Sequence, residues 1–341
     1  MPSRRWKNSW LDKRCNLGRY ARMTISWQQK LFNLNARFVQ KPMLALVRPH
    51  WLMRKVADVN AFFMVKRPRG LRRQDVTLQA GGAKVAASWL DLGGDTSGGT
   101  ILFLHGGAFV IGTIRGYAHI VSRLADGTGM AGLFVHYRMA PEYPFPAASD
   151  DALTAYRAVL DQGHDPARIA LVGDSAGGNL VFSLLHRIGA LGLPMPGAAA
   201  VMSPIVDLTL SSPSFQTNRR TEMLVAESWG RRGVRDYLHG ADPTDPMASP
   251  INGRFAGAPP VMFQVVTTEA LYNETTRMAV KLRADGVSVR VDEWHDVPHV
   301  WHLNAGRSPE ANKGVADLAD FIRDTIPDTN PGTVVSGPRG G

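Results

Sequence analysis

The stretch Ile169-Ala170-Leu171-Val172-Gly173-Asp174-Ser175-Ala176-Gly177-Gly178-Asn179-Leu180-Val181-Phe182 decides how this chain is read. Four apolar residues, two of them β-branched, have the pattern of a short buried strand, and the run from Asn179 onward is compatible with a helix. Between them Gly173 and Gly177 bracket Ser175 as G-x-S-x-G. In a strand–turn–helix context that spacing sets the serine on a sharp turn with its hydroxyl in the open. The glycines let strand and helix approach closely. A serine hydroxyl is a weak nucleophile until a neighbouring base takes its proton, so the motif demands partners elsewhere in the chain. Alone it is weak: with 34 glycines in 341 residues, a Gly-rich turn around a small buried serine reads the same way.

On both sides of this stretch, short apolar strands alternate with longer helical stretches. Before the serine come strand 100–104, helix 117–126, strand 132–136, helix 147–161 and strand 168–172. After it come helix 178–190, strand 198–202, strand 261–266, helix 274–285, strand 287–292 and helix 309–325. This alternation predicts an α/β fold with a mainly parallel central sheet flanked by helices. Residues 75–92 read as a hairpin turning at Gly81-Gly82. Residues 203–250 interrupt the alternation with an irregular, partly helical insertion.

Nearer the N-terminus, Ser26-Trp27-Gln28-Gln29 has the form of a capping box. It opens a helix with Trp27, Leu31, Leu34 and Phe38 on one side, which Pro42 is expected to end. A second helix starts near Pro49, carries Leu52, Met53, Val56, Val59 and Phe63 on one face, and stops before Pro68. Both are basic and amphipathic, which fits a lid, a membrane-surface contact or padding of the core alike.

The length allows one or two domains, and 44% apolar with 20% charged residues is an ordinary globular balance. A single cysteine, Cys15, excludes an intrachain disulfide and a Cys-based zinc site, and fits a reducing, cytoplasmic compartment. No apolar run approaches the ~18 residues of a membrane span, and the basic N-terminus lacks the apolar region of a secretory signal. The net charge of +10 is uneven. Residues 1–74 hold 18 Lys and Arg against Asp12 and Asp58, and the remainder holds 21 against 27 acids. A basic N-terminus on a mildly acidic body points to an anionic surface, membrane or nucleic acid, or to a merely solvated face. Residues 1–22 and 327–341 read as disordered extensions.

His105-Gly106-Gly107-Ala108-Phe109 directly follows strand 100–104. Two glycines there can turn backbone N–H groups toward a pocket, and with Ala176 N–H they would stabilise an oxyanion. The base is expected beyond the last strand, where His295, His299 and His302 cluster. His299 sits in a loop after Pro298 and before the anchoring pair Val300-Trp301, while His295 and His302 read as surface or packing residues. His136, on a strand, reads as a core or pocket-edge residue. The carboxylate that orients the base is expected after strand 261–266, which supplies Glu269. Glu274 falls inside the following helix, where a solvated structural role is expected, and Asp292, Glu293 and Asp296 lie too close to His299 along the chain. The order Ser…Glu…His, each at a strand's C-terminal end, is that of α/β-hydrolases.

The chain resembles the hormone-sensitive-lipase-like esterases of the α/β-hydrolase superfamily. The likeness runs from about Trp27 to Asp324 and rests on His105 to Gly112, Tyr137-Arg138-Met139-Ala140-Pro141-Glu142 with Pro144-Phe145-Pro146, and Gly173 to Asn179. It also rests on Ser203-Pro204-Ile205-Val206-Asp207-Leu208-Thr209, Ala248-Ser249-Pro250 and the His299 loop. The resemblance implies hydrolysis of short- to medium-chain acyl esters with no cofactor and no metal. It implies Ser175, His299 and Glu269 as catalytic residues, Gly106, Gly107 and Ala176 as oxyanion donors, and His105 and Asp174 as supports. Amide and lactone hydrolysis, a lipase working at a lipid surface and a non-catalytic ligand-binding relative are the alternatives. It implies a core at 74–206 and 243–326, with a cap from helices in 23–73 and an insertion at 207–242. The expected partners are a small ester, an anionic membrane touched by the basic N-terminus, and a second copy in a homodimer; no nucleic acid is expected. Two departures stand out: Ala108 replaces a third glycine, and Thr268-Glu269-Ala270-Leu271 stands where many relatives carry Asp-Pro-Leu.

Overall fold

The computed structural model describes residues 25–326. The extensions expected at 1–22 and 327–341 lie outside that range, as does the side chain of Phe63. Helix α1 (Trp27–Asn35) is capped by Ser26, whose hydroxyl accepts from Gln29 N–H. The capping box is only half formed, because the Gln29 side chain binds Asn33 and Ser308 instead of returning to Ser26. Pro42 does not end the helical path. A π turn (Ala36–Gln40), in which Lys41 N–H reaches Ala36 O, widens the coil. Pro42, with no N–H to offer, then sits in the first turn of a renewed helix, α2 (Lys41–Leu46). α3 (His50–Met64) follows Pro49.

β1 (Arg72–Ala80) and β2 (Ala83–Asp91) form the expected hairpin. Next come β3 (Thr100–Leu104), α4 (Ile114–Thr128), β4 (Ala131–His136), α5 (Ala147–Asp161), β5 (Ile169–Asp174) and α6 (Ala176–Ala190). β6 (Ala198–Met202) leads into the short α7 (Ser214–Thr217) and α8 (Glu227–Leu238). The chain closes with β7 (Val261–Val266), α9 (Tyr272–Ala284), β8 (Val289–Trp294) and α10 (Pro309–Thr325). Strand β8 lies two residues later than its apolar run predicts, because its ladder with β7 pairs Val261 with Val289 and Val266 with Trp294.

All eight strands join one sheet in the order β1-β2-β4-β3-β5-β6-β7-β8. β2 runs antiparallel to both neighbours, and β3 to β8 pair in parallel. Strands β3, β5, β6 and β7 are buried throughout, as expected of a sheet covered on both faces. Alternate side chains divide between two cores. Leu102, Leu104, Leu171 and Phe263 pack with residues of α5, α6 and α9. Ile101, Phe103, Val172 and Met262 pack with residues of α4 and α10. Each such side chain contributes about 1.5–3 kcal/mol on burial.

From β3 the chain passes through α4 to β4 on one side, and β5 then enters on β3's other side. The strand order therefore reverses beside the C-terminal ends of β3 and β5, where open α/β sheets place their ligand crevice.

Candidate active site

Ser175 stands between β5 and α6 with φ 50° and ψ −116°. A side-chain-bearing residue with positive φ costs about 1–3 kcal/mol and persists only where its surroundings hold it. Here Ser175 N–H donates to Met202 O at 2.8 Å, and its carbonyl accepts from Ile205 N–H at 3.2 Å. A side chain at Gly177 would collide with the carbonyl oxygen of Leu104, and one at Gly173 with that of Gly177. Only glycine allows this close approach of β5 and α6, and α6 begins at Ala176 rather than at 178 despite the poor helix propensity of glycine.

His299 lies in the loop after β8, and its Nδ1 is 2.9 Å from Glu269 Oε2, both side chains being buried. Buried Trp301, packed between Trp294 and His302, anchors the loop. Burial alone would depress the pKa of His299. The charge and hydrogen bond of Glu269, aided by Glu222 and Asp174, outweigh it and hold the imidazole above its usual 6.5. Burial pushes the Glu269 carboxyl up, and His299 opposes that rise. The flanking histidines fall elsewhere. His302 is buried against Gln264, with its pKa pushed down to about 3 by burial, and His295 meets Thr267 at 2.7 Å. His136 bonds Ser88 at 2.8 Å.

Glu274 departs from its expected solvated role. It is buried, and its Oε2 accepts the N–H groups of Val206 and Asp207 at 2.8 Å each while Oε1 takes the Ser212 hydroxyl. It therefore ties α9 to the loop after β6.

Gly106 also departs from expectation. Its N–H donates to Asp174 Oδ1 at 2.8 Å and is already occupied, so it is not free to serve as an oxyanion donor. Asp174 takes the Tyr117 hydroxyl on its other oxygen at 3.0 Å, and burial pushes its pKa up to about 6. His105 stacks on Tyr137 and is neutral, burial holding its pKa at about 4. Asp174 and His105 thus brace the loop in which Gly107, at φ 110°, lies beside Ser175 in a common cavity lining. Among the described residues, no group of three or more His, Cys, Asp or Glu side chains is arranged to hold a metal ion.

A family model described as the alpha/beta hydrolase fold matches residues 101–303, which span the strand before His105 and the His299 loop. The chain belongs to that family. It is 38% identical over 226 residues to an acetyl-hydrolase of Streptomyces hygroscopicus, covering 66% of this chain and 76% of the relative. It is 30% identical over 233 residues to an ethyl acetate hydrolase of Pseudomonas putida, covering 67% and 73%. A solved esterase of the bacterial hormone-sensitive lipase family superposes with a TM-score of 0.82 at 31% identity, covering 89% of this chain and all of that one. The protein is a hormone-sensitive-lipase-like serine ester hydrolase and acts on carboxylic esters.

Two cavities of the hydrolase meet at Ser175. The smaller, about 200 Å³, is lined by His299, Gly107 and Thr113 together with Met43, Met53 and Ala57 of the N-terminal helices. The larger, about 680 Å³, is lined by Ala45, Ala176, Ile205, Phe215, Leu271 and Val234. Trp229 of α8 lines both.

Sequence reasoning missed Glu222. This buried carboxylate accepts the N–H groups of Leu224 at 2.6 Å, Val225 at 2.9 Å and Ala270 at 2.7 Å. Asn218 adds bonds to the carbonyls of Thr267 and Glu269 at 3.0 and 2.8 Å. Together they clamp the loop that carries Glu269. No local pattern marks Glu222, because its partner Ala270 is 48 residues away.

Proposed function

We propose that the hydrolase cleaves esters of short- to medium-chain acids through an acyl-enzyme on Ser175, with His299 as base and Glu269 as the acid that orients it. The observation that carries this reading is the buried His299–Glu269 hydrogen bond beside a cavity that both His299 and Ser175 line. Ser175 Oγ attacks the ester carbonyl carbon as His299 Nε2 takes its proton. The oxyanion accepts from the N–H groups of Gly107 and Ala176, with Gly106 acting only through its bond to Asp174. Collapse breaks the bond to the alcohol oxygen, which leaves with the proton from His299. Water then attacks the acyl carbon, giving a proton to His299; the bond to Ser175 Oγ breaks, Oγ takes that proton back, and the carboxylic acid is released.

His299 lines the smaller cavity and not the larger. The alcohol it protonates therefore leaves toward the smaller cavity, and the larger takes the acyl chain. Leu44 and Met53 of the N-terminal helices pack with Ala226 and Trp229 of the insertion into a small core of their own, which supports residues 23–73 and 207–242 as one cap. A panel of p-nitrophenyl esters of increasing acyl length, with an amide and a lactone alongside, tests the substrate class. Ester turnover should dominate and peak at short to medium chains; faster turnover of the amide or lactone would overturn the reading. Ala45→Trp, which fills the larger cavity, should shift the optimum to shorter acids. Ala57→Trp in the smaller cavity should instead reduce tolerance for long alcohols, and the opposite pattern would reverse the assignment.

Only the neutral imidazole can accept the Ser175 proton, so kcat/KM should fall as pH drops through the His299 pKa. Since Glu269 and Glu222 raise that pKa, the falling limb should lie above 6.5. Glu222→Gln should move it to lower pH. A limb below 6.5 in the parent enzyme would contradict this electrostatic account.

A further inference from the structure

Among the described residues twelve large apolar side chains are exposed, and nine of them fall between Trp27 and Val59. Trp27, Leu31, Leu34 and Phe38 do share one side as their spacing predicts, but that side faces solvent, with 54–68% of each exposed. On α3, Trp51 and Val59 are likewise 60% and 57% exposed, whereas Met53, expected on the same face as Val59, turns inward and is buried. The opposite sides of the same helices, through Phe32, Ala36, Met53 and Ala57, line the smaller cavity at Ser175. The two apolar faces therefore both point away from one shared cavity and form the outside of its roof.

The exposed charges carried by these helices and by the segment after α3 have one sign. Lys30, Arg37, Arg48 and Lys55 are exposed on or beside the helices, and Lys66, Arg67 and Arg69 follow α3. Lys55 lies over the Trp51 ring, 5.3 Å from its centroid. The one acid in residues 25–70 is Asp58, which is partly buried and accepts the Thr113 hydroxyl at 2.5 Å. The sequence ahead of α1, residues 1–24, adds seven Lys and Arg against Asp12. An apolar stripe bordered by cations has the composition of a helix that lies in a bilayer interface.

We propose that the outer face of α1 to α3 docks on an anionic lipid bilayer, with its apolar side chains at the headgroup–acyl boundary and its cations on the headgroups. A second copy of the chain on this face would bring two positive rims together, whereas an anionic bilayer satisfies the apolar and the charged groups at once. Docking would hold the Ser175 cavities against the membrane, where esters partition. Among the described residues no helix is long and apolar enough to cross a membrane. The proposal goes beyond ester hydrolysis, and its test reads binding rather than turnover, so the two fail separately.

The full-length chain is floated with phosphatidylcholine vesicles with and without phosphatidylglycerol. It should float with the anionic vesicles at low salt, and far less with neutral vesicles or at high salt. The triple substitution Leu34→Ser, Phe38→Ser and Trp51→Ser touches neither cavity lining and should lower the bound fraction about tenfold or more. Turnover of a soluble acetate ester should not change. Lys30→Glu with Arg48→Glu and Lys55→Glu should abolish the preference for anionic lipid. A parent chain that stays at the bottom with anionic vesicles, or a triple variant that floats as the parent does, would overturn the proposal. So would a parent dimer that the triple variant dissociates, which would assign the face to a second copy.

Discussion

Ser175→Ala is expected to lower kcat on any activated ester by about 10⁶-fold, because the covalent step loses its nucleophile while the rest of the site persists. The fold should survive, since the turn is held by main-chain bonds from Ser175 to Met202 and Ile205 that alanine retains. The strained φ of 50° adds a second readout. Ser175→Gly should be equally inactive yet more stable than Ser175→Ala by about 1 kcal/mol, because glycine tolerates positive φ. Thermal unfolding of the two variants measures that difference. Substantial turnover in Ser175→Ala would remove the serine from the mechanism.

Glu269→Gln carries the second largest expected effect, a loss of about 10³–10⁴-fold in kcat. The amide keeps the size of the side chain but not the charge that stabilises the imidazolium. Its pH profile distinguishes loss of charge from simple disorder. With the carboxylate gone, burial of His299 is opposed only by Glu222 and Asp174, so its pKa falls and the acid limb of the profile moves to lower pH. Glu274→Gln is the control. Glu274 holds Val206, Asp207 and Ser212, so its loss should lower the melting temperature and leave kcat within about tenfold of the parent. If the kcat losses of the two variants were exchanged, the acid would be misassigned.

The parallel strands were legible because a sheet buried on both faces requires unbroken apolar runs, as in Ile101-Leu102-Phe103-Leu104 and Val261-Met262-Phe263. Ser175 was legible because its motif names both a turn and the elements on either side of it. His299 and Glu269 followed from chain order and strand ends. What escaped the sequence depends on contacts between distant segments. The Gly106 N–H is occupied by Asp174, 68 residues away, and Glu222 clamps Ala270 across 48. The period of α1 revealed an apolar side but not its direction, because Phe32 and Ala36, not the Trp27 stripe, face the cavity. Pro42 reads as a terminator in the sequence because a π turn that accommodates it leaves no pattern in residue types.

The acyl-enzyme claim is tested most directly by labelling the parent hydrolase with a serine-directed phosphonate and locating the adduct by mass spectrometry. One label per chain is expected, on Ser175, gained in step with loss of ester hydrolysis and slowed at pH values where His299 is protonated. A label on any other serine, or full inactivation with Ser175 unmodified, would contradict it.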